Sequence, residues 1–232
     1  MKLNTPRIMN KEVSDYIKNE QKLKLSQEYF VLAFLKYKFH DKYKDVIHLD
    51  KPDLQGEKVF VEVTSLDTGK DMMANKEFAK YCKDHDERRI KTIEGTGNEL
   101  GDVIGTDFKS MNSGGGYNFE SDRLLLEKCV CEKITKAKGY DISNRSPELA
   151  LVKKDRPLLE WLEKISFSLE QIVNNQEMYK IVYILFPNGC IYVEKGKTPQ
   201  MIDLTQDEYL RLRTIGRMTA EEEINTDDEE WN

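Results

Sequence analysis

Pro52-Asp53-Leu54-Gln55-Gly56-Glu57-Lys58-Val59-Phe60-Val61-Glu62-Val63-Thr64 is the stretch on which the reading of this chain turns. From Lys58 to Thr64 it is rich in β-branched and aromatic residues, the side chains that fit the pleated surface of a strand. Glu62 breaks that apolar run between Val61 and Val63, and a carboxylate buried in a strand costs free energy unless a positive group meets it. Eight residues lie between Asp53 and Glu62. A divalent cation held by those two carboxylates and the backbone carbonyl of Val63 supplies the missing charge, and Mg²⁺, or Mn²⁺ in its place, suits hard oxygen donors. On pattern alone a second arrangement stands beside this one, with Glu62 on the solvated face of an edge strand and Asp53 shaping a turn.

Working outward, Val46-Ile47-His48-Leu49 is a short apolar run that reads as a strand, separated from the next by the break Asp50-Lys51-Pro52-Asp53. Before it, residues 13–39 carry Leu25, Tyr29, Leu32, Ala33 and Leu35 at helical spacing, a face that would cover a sheet. After it, residues 71–92 read as a charged helix with Met72, Phe78, Ala79 and Ile90 inward. Glycines at 95, 97, 101, 105, 114, 115 and 116 then predict a long loop, flap or insertion at about 95–119. Helical spacing resumes over 120–137, with a stop at Gly139; 148–152 reads as a buried strand, and Pro157 opens a helix running to about Val173. Residues 180–186 and 190–194 flank Pro187-Asn188-Gly189, a hairpin signal, and a short helix is expected around 207–213. The order of elements predicts an α/β protein with a mixed central sheet flanked by helices. The expected division is one domain over 1–195 and a C-terminal extension over 196–232.

Composition narrows the function classes. The chain has 232 residues, 39% hydrophobic and 34% charged, and no run suited to crossing a bilayer or to a secretory signal, so a cytoplasmic protein without membrane contact is expected. Cys82, Cys129, Cys131 and Cys190 lack the paired spacing of a zinc site, and His40, His48 and His85 are scattered singly. The glycines do not match a phosphate-cradling fingerprint, and no nucleophile stands in an evident His and acid arrangement. A net charge of −6 argues against a module that holds nucleic acid by charge alone, although Glu221, Glu222, Glu223, Asp227, Asp228, Glu229 and Glu230 concentrate the excess in the tail. That tail reads as a solvated end or as an arm for a protein partner.

Pro52-Asp53, then Glu62-Val63-Thr64, resembles the proline-aspartate, glutamate-x-lysine signature of the restriction-endonuclease-like nuclease superfamily, in a variant with threonine for lysine. The resemblance covers roughly residues 20–195 and implies a restriction-endonuclease-like core. It also implies a Mg²⁺- or Mn²⁺-dependent endonuclease acting on DNA, in restriction, phage defence or mobile-element biology. By the same resemblance Asp53 and Glu62 are catalytic metal ligands, the Val63 carbonyl a further ligand, and Glu28, in Ser26-Gln27-Glu28-Tyr29, the supporting acid of the first core helix. The family's lysine orients the attacking water or stabilises developing charge, and Thr64 cannot do so. Related domains often carry a basic residue on the following helix, where this chain offers Lys133, Lys136 and Lys138, and Lys136 is the expected substitute. Such nucleases often act as homodimers. Two further readings stay open: a degenerate member of the fold that binds without cutting, and an acidic interaction or inhibitor protein working through its tail.

Overall fold

The structure is a computed structural model, and it describes residues 20–67, 69–96, 99–102, 109–112, 119–140, 144–154 and 157–221. The chain divides into two compact units, the larger made of residues 24–66 and 119–232, the smaller of residues 1–23 and 67–118.

The larger unit is built on a mixed sheet of seven strands, ordered β1-β2-β3-β6-β7-β8-β9. These are β1 (Ile47–His48), β2 (Leu54–Gln55), β3 (Val59–Ser65), β6 (Ser146–Val152), β7 (Ile181–Phe186), β8 (Gly189–Glu194) and β9 (Gln200–Asp203). The pairings β3–β6 and β6–β7 are parallel and the others antiparallel. The parallel strands are covered on both faces, which is why they read in sequence as nearly unbroken apolar runs.

Successive side chains of each strand point to opposite faces. On one face Val59, Val61, Val63, Ala150, Val152, Tyr183 and Leu185 pack against α1 (Glu20–Lys38), the short α2 (His40–Tyr43) and α7 (Gln206–Ala220). Phe30 of α1 meets Tyr209 of α7 edge to face. Gly216 lets the two helices close, since a Cβ there would stand 2.7 Å from the Phe30 nitrogen and 2.9 Å from the Ser26 carbonyl oxygen. The other face lies under α5 (Phe119–Ala137) and α6 (Leu159–Asn174), which pack on each other. Their buried stripes are Leu126, Val130, Lys133 and Ala137 on α5, and Trp161, Ile165, Leu169 and Val173 on α6. The first of these stripes includes a lysine, Lys133.

In the smaller unit, α3 (Gly69–Asp84) and α4 (Arg88–Glu94) stand where a single helix over 71–92 is expected. The break has a local cause: His85 takes a left-handed backbone (φ 52°), and the Asp86 carboxylate accepts from the Arg88 amide at 3.0 Å, which starts the next helix. The glycine-rich stretch holds an antiparallel hairpin of β4 (Glu99–Asp102) and β5 (Lys109–Asn112); the rest of the expected loop, at 97–98, 103–108 and 113–118, lies outside the described residues.

Three other differences concern the larger unit. Leu54–Gln55 pairs with Val61 and Phe60, so a strand follows directly on the expected break. Residues 200–220, expected in an extension, supply β9 and a helix longer than the one expected, opened by a capping box between Thr205 and Glu208. The acidic residues beyond Glu221 lie outside the described residues. Among the described residues no helix is long and apolar enough to cross a membrane.

Candidate functional site

Glu62 sits at the middle of β3 with 2% of its surface exposed, which removes the solvated-edge alternative. Its counter-charge comes from α5. The Lys133 ammonium donates to Glu62 Oε2 at 2.6 Å and to the Val63 carbonyl oxygen at 2.9 Å, and stands 3.6 Å from Asp53 Oδ2. Lys133 reaches them because it holds a stripe position on the helix, so its stem is buried with Leu126 and Val130 while its tip meets the acids. Lys136 is exposed, and the structure brings Lys133, not Lys136, to the carboxylates.

Asp53 arrives from the sheet edge. The pairing of Leu54 with Val61 places Asp53 beside Glu62, and Asp53 Oδ2 accepts the Val63 amide at 2.7 Å. Burial pushes its carboxyl above the usual range against the pull of Lys133, and the negative charge of Glu62 adds to the rise. Two tyrosines adjoin the pair. Tyr140, packed edge to face on Phe60, has its hydroxyl pushed up to about 12 by burial and by the charge of Glu62. Tyr179, fully buried, is raised by the same two influences.

Glu28, buried on α1, is not in direct contact with Asp53 or Glu62. Its Oε1 lies 2.9 Å from the Lys24 ammonium and its Oε2 2.6 Å from His48 Nε2, while Lys24 reaches on to Asp53 Oδ1 at 3.4 Å. Burial pulls the Glu28 carboxyl upward, but the hydrogen bonds from His48 and Lys24 prevail and hold it below its ordinary value. His48 also packs at a tilt against Tyr29, with ring centroids 4.8 Å apart. The result is one chain of polar contacts, running His48, Glu28, Lys24, Asp53, Lys133, Glu62.

The oxygens of Asp53, Glu62 and Val63 aim at one cation-sized position, since a single ammonium lies near all three. Two carboxylates and a carbonyl are hard donors of the kind Mg²⁺ takes, and the Lys133 ammonium stands where such an ion would lie. Among the described residues no group of three or more His, Cys, Asp or Glu side chains is arranged to hold a metal, and Glu28 is spent on Lys24 and His48.

Sequence reasoning missed the place of Lys24 and His48. Lys24 and Glu28 are spaced as a common surface pair, and His48 is a lone histidine in a short strand, so neither pattern points to a site. No family model, curated protein or solved structure matches the chain.

Proposed function

We propose that this protein is a metal-dependent nuclease that hydrolyses phosphodiester bonds of DNA, with restriction, phage defence or mobile-element biology as its setting. The observation that carries the reading is the convergence of Asp53, Glu62 and the Val63 carbonyl on the Lys133 ammonium. A lysine from the helix after the core strands stands beside the two acids, the role that Thr64 leaves open in the resemblance to restriction-endonuclease-like nucleases. An Mg²⁺ ion held there would supply polarisation of a phosphoryl oxygen and a more nucleophilic water at neutral pH. Asp53, Glu62 and Val63 are the residues that would hold it. Lys133, whose ammonium fills that position in the structure, would yield it to the ion and offer its positive charge to the phosphate as negative charge builds on the phosphate oxygens. Water adds to phosphorus and gives up a proton to solvent, the bond to the leaving oxygen breaks, and the displaced oxygen takes a proton from solvent.

The test is incubation of the purified chain with plasmid and single-stranded DNA in Mg²⁺ or Mn²⁺. Cleavage that is lost with Glu62→Ala and with a chelator supports the reading; absence of cleavage under either metal overturns it.

One observation favours a second reading, a fold that binds a partner without cutting. Lys133 already balances both carboxylates and bonds the Val63 carbonyl, so the cluster is complete as an ion-paired core element. Under that reading Asp53→Ala leaves partner binding intact in the absence of metal.

A further inference from the structure

The geometry points to Lys24 as a direct contact for the substrate: its ammonium binds a non-bridging oxygen of a DNA phosphate at the site's outer edge, and Glu28 is the positioning residue that holds it there. This deepens the nuclease reading and rests on it.

The two oxygens of Asp53 are divided between two ammonium groups. The inner, Lys133, has a side chain 10% exposed; the outer, Lys24, is 64% exposed and meets Asp53 Oδ1 at 3.4 Å. Lys133 supplies one positive charge to two buried acids, and Lys24 meets Asp53 from the solvent side. What sets Lys24 apart from an ordinary surface lysine is that its flexible stem is held. Glu28, one helical turn on, takes it at 2.9 Å, and burial of that carboxylate, together with its 2.6 Å contact to His48, fixes the anchor. An ammonium has three donors, and two carboxylates leave one to face solvent. A lysine ordered before its ligand arrives loses less side-chain freedom on binding. With both oxygens committed, Glu28 acts through Lys24 and not as a metal ligand.

The test uses the full chain and a short fluorescent DNA duplex, with Ca²⁺ in place of Mg²⁺ and binding followed by anisotropy across a salt series. Loss of one phosphate contact reduces the log–log salt slope by about one, so Lys24→Gln is expected to weaken binding by about five- to tenfold near 0.1 M salt and to flatten the slope by that amount. Lys24→Arg keeps the charge and the wild-type slope. In cleavage assays Glu28→Gln raises KM more than it lowers kcat, with the Mg²⁺ concentration for half-maximal rate unchanged. Matching circular dichroism spectra establish that the variants fold. If the wild type binds and Lys24→Gln keeps its slope, the proposal falls and the nuclease reading stands. If Glu28→Gln raises the Mg²⁺ requirement instead, Glu28 is a ligand and the positioning role is overturned. A wild-type chain that neither binds nor cuts DNA overturns the nuclease reading itself.

Discussion

Glu62 and Glu148 are both buried glutamates in adjacent parallel strands, and they face opposite ways. Glu148 pairs with Val61 and Leu149 with Glu62, so the two side chains leave the sheet on different faces. Glu148 is enclosed: Tyr43 donates to its Oε2 at 2.5 Å, Tyr183 approaches the same oxygen at 3.4 Å, and Lys42 lies 2.6 Å from Oε1. Each of these partners is a donor, and among the described residues no second acid shares them. Glu62 instead shares its ammonium with Asp53, and through Asp53 it is linked to an exposed lysine. A buried acid is therefore no sign of chemistry by itself. Two acids sharing one cation, beside an exposed lysine, are what separate Glu62 from Glu148, and the nuclease proposal rests on that difference.

The largest expected effect separates the two glutamates. Glu62→Gln is expected to lower DNA cleavage by on the order of 10² to 10³, as loss of a preorganised electrostatic group does. Glu148→Gln is expected to leave the rate within about threefold, since what changes is local stability of the kind common to single substitutions. Plasmid-nicking rates on matched preparations decide it, and equal losses would erase the distinction.

Removing the cation from each acid comes next. Lys133→Met leaves Glu62 buried without its counter-charge and Asp53 with Lys24 alone, and removing one partner of a buried pair costs about 3–5 kcal/mol in comparable cases. Lys42→Met is expected to cost less, because the Lys42 side chain is 40% exposed and both tyrosine hydroxyls still meet Glu148. The Lys133 variant carries a sharper signature: added Mg²⁺ should raise its melting temperature more than that of the wild type, since the ion stabilises whichever folded state binds it better. Thermal melts with and without Mg²⁺ show whether that ordering holds.

A smaller effect is the pH dependence of stability. Burial raises the Glu148 carboxyl above its ordinary 4.5, so above that pH the unfolded chain has released a proton that the folded chain still holds. The folded state then binds more protons, and stability falls as pH rises from 4.5 through the raised value. Glu28 runs the other way. Its folded carboxyl is held below 4.5, so on acidification the unfolded chain takes up the proton first and stability is lost as pH drops below 4.5. Urea unfolding from about pH 3 to about pH 7 should show Glu148→Gln flattening the curve above that point and Glu28→Gln flattening it below.

How much of this was legible follows from what each residue had to do. The central strands were legible because burial on both faces demands apolar runs, and the β7–β8 hairpin because Pro187-Asn188-Gly189 is a turn signal, the chain turning at Pro187-Asn188. Strand β9 was not, since Gln200, Met201 and Asp203 are exposed and leave no alternation to read. Helix α7 was underestimated because its buried face is partly Gly216, Thr219 and Ala220, small residues that allow close approach to α1 but carry little hydrophobic signal. Asp53 and Glu62 were legible through the cost of burying a charge. Lys133 was also within reach: it continues the series Leu126, Val130, Ala137 at helical spacing, while Lys136 lies on the shoulder of that stripe.

That shift in helical phase sets the smallest expected effect. Lys136 lies about one-sixth of a turn from Lys133 around the helix, and the structure leaves it exposed. Lys136→Gln is expected to change stability by less than about 0.5 kcal/mol, as surface substitutions commonly do. Its cleavage rate should stay within about twofold of wild type by the same reasoning, against the large loss expected for Lys133→Met. Measuring both variants side by side assigns the role that Thr64 leaves open. If Lys136→Gln loses as much activity as Lys133→Met, the buried lysine is only the acids' counter-ion and the group that meets the phosphate lies one helical turn further on.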